Sequence, residues 1–425
     1  MTVLPPLPVE RHRLDNGLRV VVHPDAALPL VAVNLWYHVG SRHERPGSTG
    51  LAHLFEHMLF QGSAHVAANE HFALVQKAGG IANGSTGKDR TNYYETLPAS
   101  HLELGLWLEA DRMGYLLPSL DAGKLETQRQ VVINERRERI DNQPYGRSWE
   151  RVWELLFPAG HPYHWPVIGY LPDIAAATLE EVREFFVTYY RPANAVLTVA
   201  GDLEPEAAFA AVERHFGPLP GGSPVPLERP APASAGVEVR EVMNDDVTLP
   251  RVILAHHGPA IGEPLWYAAE VLSESLAGGI SSPVYQDLVY RRQIAQSVAV
   301  YLYANELSSP FVAVATGRPG VAPETLEAAL GEHLAAAAER PPRAADLERA
   351  RRRLATHHLG QLQRLDGKAD ALSQLTTYFD DPGRLAGELD RHLAATPSSL
   401  VEFAARHLSP EERVSVAVVP GRPAR

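Results

Sequence analysis

Cysteine is absent from the 425 residues of this chain, and its absence excludes several kinds of chemistry at once. Disulfide bonds, thiolate metal ligands, iron–sulfur clusters and a cysteine nucleophile all require that side chain. A metal site in this protein must therefore be built from histidine and carboxylate ligands.

Positive charge is also in short supply. Lys and Arg number 39 against 51 Asp and Glu, which gives a net charge of −12 at pH 7. This balance disfavours a nucleic-acid partner, because phosphate backbones bind basic surfaces. No apolar run approaches the ~18 residues that a membrane-spanning helix needs, and residues 1–16 show no apolar segment behind a basic start. We expect a soluble, cytoplasmic protein, although a periplasmic chain whose signal had been removed would look the same.

The length of the chain and the composition of one segment predict two domains. The stretch from Gly217 to Gly236 is so rich in Pro, Gly and Ala that it favours neither a helix nor a sheet strand. We therefore predict an N-terminal domain over residues 1–218, a linker over 219–236 and a C-terminal domain over 237–425.

The two halves look like degenerate copies of one unit. A helical segment around Phe185 and another around Phe403 are each followed by a proline turn and an apolar strand, at an offset of 218 residues. Thr178 and Glu181 form a capping-box pattern at the start of the first of these helices. Further strands are predicted at Leu18–His23, Val31–Val39, Val237–Val242 and Arg251–His256, and helices at Ala99–Leu117 and Asp121–Ile140. This mixture indicates α+β units with helices packed on a sheet.

A pair of histidines gives the first indication of chemistry. Residues Leu51–Phe60 read LAHLFEHMLF, with apolar residues at helical spacing and with His53 and His57 on one face. Two imidazoles one turn apart can hold a single Zn²⁺, and Glu56 lies beside them where it could polarise a water molecule. The order His-x-x-Glu-His is the inverse of the commoner zincin motif. The alternative is a pair of surface histidines on an amphipathic helix.

A third ligand is available further along the chain. Residues Glu126–Arg139 form a charged helical pattern in which Val131, Val132 and Ile133 are expected to be buried and Glu135 could complete a His₂Glu site. The competing interpretation is that Glu135 belongs to a solvated helix face, because its neighbours are charged.

Four segments taken together resemble the pitrilysin-type inverted zinc peptidases: His53–His57, Gly79–Thr86, Arg90–Tyr94 and Gln130–Glu135. The resemblance extends over both halves and is closest to the branch of two-domain chains that includes mitochondrial processing peptidase and its bacterial relatives. It implies two homologous α+β domains, each a mainly antiparallel sheet covered by helices, in the half-clamshell of that family. It also implies one Zn²⁺ per chain held by His53, His57 and Glu135, with Glu56 as the general base in the hydrolysis of short or unfolded peptides.

The resemblance further implies where a peptide lies. In the family the substrate is added as a strand to a sheet edge near the zinc, and the matching stretch here is Gly80–Thr86. Ala82, Asn83 and Gly84 are therefore the candidate substrate-binding residues, with Asn83 as a donor to the substrate carbonyl. Asn83 could instead be an ordinary Asn-Gly turn residue. Gln128 occupies a position where many relatives have a glutamate that supports the metal site, so it can orient a ligand but adds no charge.

The second half departs from the active members of the family. Where they have an Arg and a Tyr that hold the substrate backbone and oxyanion, this chain has Val289 and Gln296. At the repeat offset, His53 and His57 fall near Val271 and Ser275, so the second copy lacks a metal site. We therefore expect a heterodimer in which a homologous subunit supplies the Arg and Tyr. The alternatives are a non-catalytic scaffold subunit and a self-sufficient homodimeric peptidase that uses Gln296 or nearby arginines.

Other histidines are weaker candidates. His161 and His164 flank a proline and are predicted to lie in a loop, where a second metal site is not expected. His256 and His257 are adjacent, as are His357 and His358, and adjacent side chains point in different directions on a strand or a helix. These pairs are left without an assigned role.

Overall fold

Each unit of the molecule is built around one mixed β-sheet. The computed structural model describes residues 7–223, 225–226 and 238–421. Within them, the first compact unit comprises the residues up to 134, 166–228 and 359–388, and the second comprises those in 135–165, 229–358 and 389–425. The strands are β1 (Glu10–Arg13), β2 (Arg19–Pro24), β3 (Leu30–Tyr37), β4 (Ile81–Thr86), β5 (Thr91–Pro98) and β6 (Ala195–Gly201) in the first unit, and β7 (Val239–Asp245), β8 (Arg251–His256), β9 (Ala295–Leu302), β10 (Phe311–Gly317) and β11 (Val414–Pro420) in the second.

The helices connect and cover these sheets. In chain order they are α1 (Leu51–Met58), α2 (Glu70–Lys77), α3 (Leu102–Tyr115), α4 (Ala122–Arg136), α5 (Gly146–Leu156), α6 (Leu171–Ala176), α7 (Leu179–Tyr189), α8 (Pro205–Phe216), α9 (Pro264–Ala277), α10 (Pro323–Glu339), α11 (Ala344–Leu362), α12 (Leu365–Phe379), α13 (Leu385–Ala394) and α14 (Pro397–His407). Two π-helical segments occur at Arg137–Asp141, directly after α4, and at Tyr285–Arg291.

The two sheets share one topology, which supports the duplication predicted from the sequence. The first has the order β1-β2-β6-β3-β5-β4 and the second the order β7-β11-β8-β10-β9. If β1 is set aside, the strand that comes first along the chain in each sheet pairs in parallel with the strand that comes last. All other neighbouring strands are antiparallel. The predicted fold class, two mainly antiparallel α+β units, is therefore confirmed.

Both faces of the first sheet are buried, which explains why its central strands are mostly apolar, with Asn34 on β3 and Thr198 on β6 as buried polar exceptions. On β2, Val20 and Val22 belong to the core that includes α1, α3, α7 and α8, whereas Val21 points to the other face. There it packs with Trp36 and Val196 against Leu372 of α12.

Helix α12 reaches the first sheet from the far end of the sequence, and a second segment makes the reverse connection. Helix α5, which precedes the predicted linker, packs on the second sheet, where Val152 and Leu156 join a core with Ile253 and Val416. This exchange was not anticipated from the sequence, whose predicted boundaries follow chain order. The predicted linker at 219–236 lies largely outside the described residues and stays a prediction.

Several local predictions match the elements closely. Strand β8 covers the predicted Arg251–His256, and Thr178 caps α7 in a capping box with Glu181. One local prediction was wrong: Val132 and Ile133 are buried on α4, but Val131 is 43% exposed. Three consecutive helical residues span about 200° of the helix surface, so one of them turns away from the core. Among the described helices, none has the length and apolar character needed to cross a bilayer, and the cellular compartment stays a prediction.

Candidate metal centre

Helix α1 is held at its start by a buried carboxylate. Glu44 accepts hydrogen bonds from the backbone amides of Gly50 and Ala52, each at 2.8 Å. Negative charge at this end of a helix also interacts favourably with the positive end of the helix dipole. Gly50 has a φ of 85° and lies so close to the loop beyond that a Cβ would come within 2.6 Å of the Ile168 carbonyl oxygen. The position thus requires glycine, and α1 begins in a fixed place.

The apolar residues of α1 decide which side chains face outward. Leu51, Ala52, Leu54, Phe55 and Met58 are buried in the first unit. The remaining residues, His53, Glu56 and His57, are half-buried and share the opposite side of the helix. The two imidazole rings lie with their centroids 4.9 Å apart. Core packing of α1 therefore presents two imidazoles and one carboxylate together.

Glu135 joins the two histidines from the last turn of α4. One ligand atom from each of His53, His57 and Glu135 lies within 4.8 Å of the others. We call these three residues the ligand cluster. The division between the two compact units falls inside α4, just before Glu135. Because the helix is continuous, the position of Glu135 beside α1 is set by the helical turns that precede it. Two imidazoles and a carboxylate at this spacing suit a divalent cation such as Zn²⁺.

A basic side chain, that of Arg139, lies next to the ligand cluster in the π-helical segment that follows α4. The guanidinium of Arg139, four residues after Glu135, is 2.6 Å from its Oε1. The Arg139 side chain is 74% exposed, so the ion pair is largely solvated. Gln128, two turns before Glu135 on α4, is buried.

Strand β4 passes beside Glu56. The Thr86 hydroxyl donates to Glu56 Oε2 at 2.6 Å. Gly84, which shares the same face of the strand, lies so near that a Cβ there would be 3.2 Å from Glu56 Oε1. β4 forms one edge of the described first sheet, in register with β5 through pairs such as Gly84 with Tyr93.

The candidate substrate-binding residues all lie on this edge strand. Ala82 and Gly84 are on the face toward α1, and Asn83 is exposed on the opposite face. Asn83 Oδ1 accepts a hydrogen bond from the Gly84 amide at 2.9 Å. The alternative of a turn residue is wrong, because Asn83 is inside the strand.

A buried polar network lies deeper in the first unit and was missed from the sequence. His71 Nε2 is 3.0 Å from Glu95 Oε1, and Arg112 Nε donates to Glu109 Oε2 at 2.8 Å. Burial raises the pKa of both carboxyl groups and lowers the pKa of His71 to about 3. His71, Glu95 and Glu109 are also close enough to share a cation. The guanidinium of Arg112 already supplies the positive charge there, which argues for a structural network.

The second unit contains the residues at the family's Arg and Tyr positions and the counterparts of the two histidines. Val289 lies in the π-helical segment and packs against the second core, and Gln296 is exposed on β9. Val271 and Ser275, the counterparts of the histidines, are buried on α9. Arg291 and Arg292 form ion pairs with Asp287.

The predicted loop at His161–His164 is a turn in which each histidine has a local partner. His161 Nδ1 accepts from the Tyr163 amide, and His164 Nδ1 lies 2.7 Å from the Phe157 carbonyl oxygen.

Comparison with known proteins places the chain in a family. Residues 19–154 match the model described as insulinase (peptidase family M16), and residues 176–354 match the peptidase M16 inactive domain. The zinc protease PqqE of Helicobacter pylori is 34% identical over 319 residues, covering 74% of this chain and 71% of that protein. An uncharacterized zinc protease of Mycobacterium tuberculosis is 31% identical over 299 residues, covering 69% and 67%.

A solved structure agrees with this placement. The crystal structure of a protease from Helicobacter pylori matches with a TM-score of 0.91 and 28% identity, covering 97% of this chain and all of that one. The resemblance noted in the sequence is therefore confirmed over both halves. The chain belongs to peptidase family M16, the family of the pitrilysin-type zinc peptidases.

Proposed function

We propose that this chain is the zinc-bearing subunit of a metalloendopeptidase that hydrolyses short or unfolded peptides. The observation that supports the proposal most is the ligand cluster of His53, His57 and Glu135, with Glu56 on the same helix face. Two histidines and one glutamate are the ligand set of several hydrolytic zinc sites, and they leave a coordination position for water. The zinc proteases among the relatives support the same metal.

The residues divide the chemistry between them. When bound by the ligand cluster, one Zn²⁺ supplies Lewis-acid chemistry, which acidifies a water molecule and polarises a peptide carbonyl. Glu56 takes a proton from that water and then delivers it to the leaving amine. Gln128, buried two turns before Glu135, is the proposed outer support of the metal site, where it can orient a ligand without adding charge.

Strand β4 is the proposed peptide-binding edge. An extended peptide can pair with the edge backbone along Ala82, Asn83 and Gly84, which gives binding that depends little on side-chain sequence. Because Asn83 Oδ1 accepts from the neighbouring amide, its Nδ2 end is left to donate to a substrate carbonyl.

We also propose that the active site is completed by a homologous partner chain. The residues at the family's Arg and Tyr positions, Val289 and Gln296, cannot stabilise an oxyanion as those side chains do. A partner that lacks the His-x-x-Glu-His motif but retains the Arg and Tyr would complement this chain.

The experiment for the catalytic role combines zinc content with peptide cleavage. Glu56→Gln should keep about one zinc ion per chain and lose cleavage of a quenched fluorescent peptide library by at least 100-fold, because it removes the base and keeps the ligands. His57→Ala should lose both zinc and cleavage. Glu138→Gln, an exposed residue of the segment after α4, is the matched control and should change neither. Zinc-free wild-type protein without cleavage would favour the scaffold alternative.

A second experiment addresses the partner. Cleavage is measured for this chain alone and mixed with a homologous chain that lacks the motif, such as one encoded beside it. Activity that emerges only in the mixture supports the heterodimer. Full activity of the chain alone overturns it and favours the self-sufficient homodimer, in which case Gln296→Ala should lower the rate.

A further inference from the structure

We propose that Thr86 is a positioning residue for Glu56, which it holds in the orientation that proton transfer requires. This inference rests on the function proposed above and deepens it. The hydrogen bond from the Thr86 hydroxyl to Glu56 Oε2 is 2.6 Å long, a short distance for a hydroxyl donor to an oxygen acceptor. It occupies one carboxylate oxygen and fixes the plane of the group.

Gly84 provides the space that the other oxygen needs. A Cβ at position 84 would lie 3.2 Å from Glu56 Oε1 and 3.2 Å from Cδ1 of Tyr93. Thr86 and Gly84 are two residues apart and share a face of β4, so the donor and the gap belong to one strand. Strand β4 thus constrains both oxygens of Glu56. The Thr86 hydroxyl donates a hydrogen bond to Oε2, and the absence of a side chain at Gly84 leaves space for Oε1.

The end of β4 is itself braced, so the hydroxyl has a defined position. Arg90 donates from Nη1 to the backbone oxygen of Ser85 at 2.8 Å, and the Gly87 carbonyl accepts from the Ser41 amide at 3.1 Å. Thr86 lies between these two anchored residues. A positioning role is effective when the supporting group is held by its own contacts.

The geometry also connects substrate register to the base. A peptide paired with the edge of β4 takes its register from the same strand whose face holds Glu56. Thr86 therefore connects the position of a peptide backbone paired with β4 to the position of the Glu56 carboxylate. Its effect is expected on kcat rather than on KM.

The kinetic test compares three variants. Thr86→Val keeps the shape and removes the hydroxyl, so kcat should fall roughly 10- to 100-fold, the range for a hydrogen bond to a charged group, with KM and zinc content unchanged. Thr86→Ser restores the donor and should recover most of the rate. Thr91→Val is the matched control: it removes another β-sheet threonine hydroxyl, which donates to the Val39 carbonyl and not to Glu56. It should lower stability and leave kcat within about twofold.

A second readout does not need the active enzyme. Melting temperatures of the metal-free protein are measured for Thr86→Val, Glu56→Ala and the double variant. If Thr86 and Glu56 interact, Thr86→Val should lower the melting temperature in the wild-type background and have little further effect beside Glu56→Ala. Equal losses in both backgrounds, or a Thr86→Ser rate as low as that of Thr86→Val, would overturn the proposal. If the wild-type chain cleaves nothing, either alone or mixed with the homologous chain, the proposed function fails, and the melting cycle still decides whether the contact exists.

Discussion

At the scale of single residues, the environment of Glu135 brings opposing charges close together. Its carboxylate belongs to the ligand cluster, yet it is also in contact with the guanidinium of Arg139. A guanidinium competes for carboxylate lone pairs and repels a nearby dication. Arg139 is therefore expected to weaken metal binding.

This expectation can be measured as an affinity. Arg139→Gln should raise the affinity for Zn²⁺ by up to about fivefold, since an exposed ion pair contributes at most about 1 kcal/mol. A competition titration against a chromophoric chelator, at low ionic strength, would report the change. Arg137→Gln removes an exposed charge two residues earlier and should have a smaller effect. An unchanged or lower affinity in Arg139→Gln would show that the guanidinium instead helps to place the carboxylate.

At the scale of elements, β8 ends in a histidine cluster outside the ligand cluster, in which His256 is buried and His257 and His407 are half-buried. His256 is the last residue of β8. The Nδ1 atom of His407, on α14, lies 3.2 Å from the backbone oxygen of His257. Burial lowers the pKa of His256 to about 3 and of His257 to about 4. Smaller contributions to the lowered pKa of His256 come from Arg413, His257 and His407. Burial also lowers the pKa of His407, with smaller contributions from Arg406, Glu263 and Glu412.

Such histidines make stability depend on pH in a defined direction. Both are neutral in the folded protein but bind protons below about pH 6.5 when unfolded, so acid favours the unfolded chain. Their contribution is complete above pH 6.5 and is lost as the pH falls toward 4 and then 3. At pH 5 each costs about 2 kcal/mol relative to neutral pH.

Melting curves between pH 8 and pH 5 would check this. The melting temperature should fall steeply below pH 6.5, and less steeply in His257→Gln. His101→Gln, at an exposed histidine, is the control and should melt with the pH dependence of the wild type. The same slope in all three proteins would contradict the assignment to the histidine cluster.

At the scale of the whole molecule, each compact unit contains a segment from the other half of the chain. Asp370 of α12 accepts a hydrogen bond from Trp36 Nε1 at 2.9 Å, and Ser373 donates to Thr198 at 2.8 Å. In the second unit, Tyr145 just before α5 donates through its hydroxyl to the Leu249 carbonyl. Without α12, the face of the first sheet that carries Val21 and Trp36 would be exposed.

A split protein should therefore fold only when both pieces are present. Residues 1–226 and 227–425 expressed separately should each lack a cooperative thermal transition, because each exposes a sheet face that the other piece covers. Co-expression should restore one complex with a cooperative transition by calorimetry. A stable, cooperatively folding 1–226 piece on its own would contradict the prediction.

Much of the candidate site could be identified from the sequence because its signals are local. His53, Glu56 and His57 lie within two turns of one helix, and the apolar pattern around them indicates which side they occupy. Glu135 needed the family resemblance, since nothing in its charged neighbourhood distinguishes a ligand from a solvated residue. The exposure of Val131 was predicted wrongly, because composition alone does not determine the phase of a short apolar run on a helix.

What the sequence determined by itself is the chemistry that is available and the local elements that carry it: candidate histidine and carboxylate ligands, the helix that aligns the two histidines, and two strand-rich halves. Periodicity and capping depend on residues a few positions apart, so they can be read directly. The tertiary structure alone decided which distant groups meet: Thr86 with Glu56, Glu44 with the start of α1, the buried partners of Arg112, and the exchanged helices α5 and α12. These contacts depend on how sheets and helices pack, because a strand leaves open which element will cover its face.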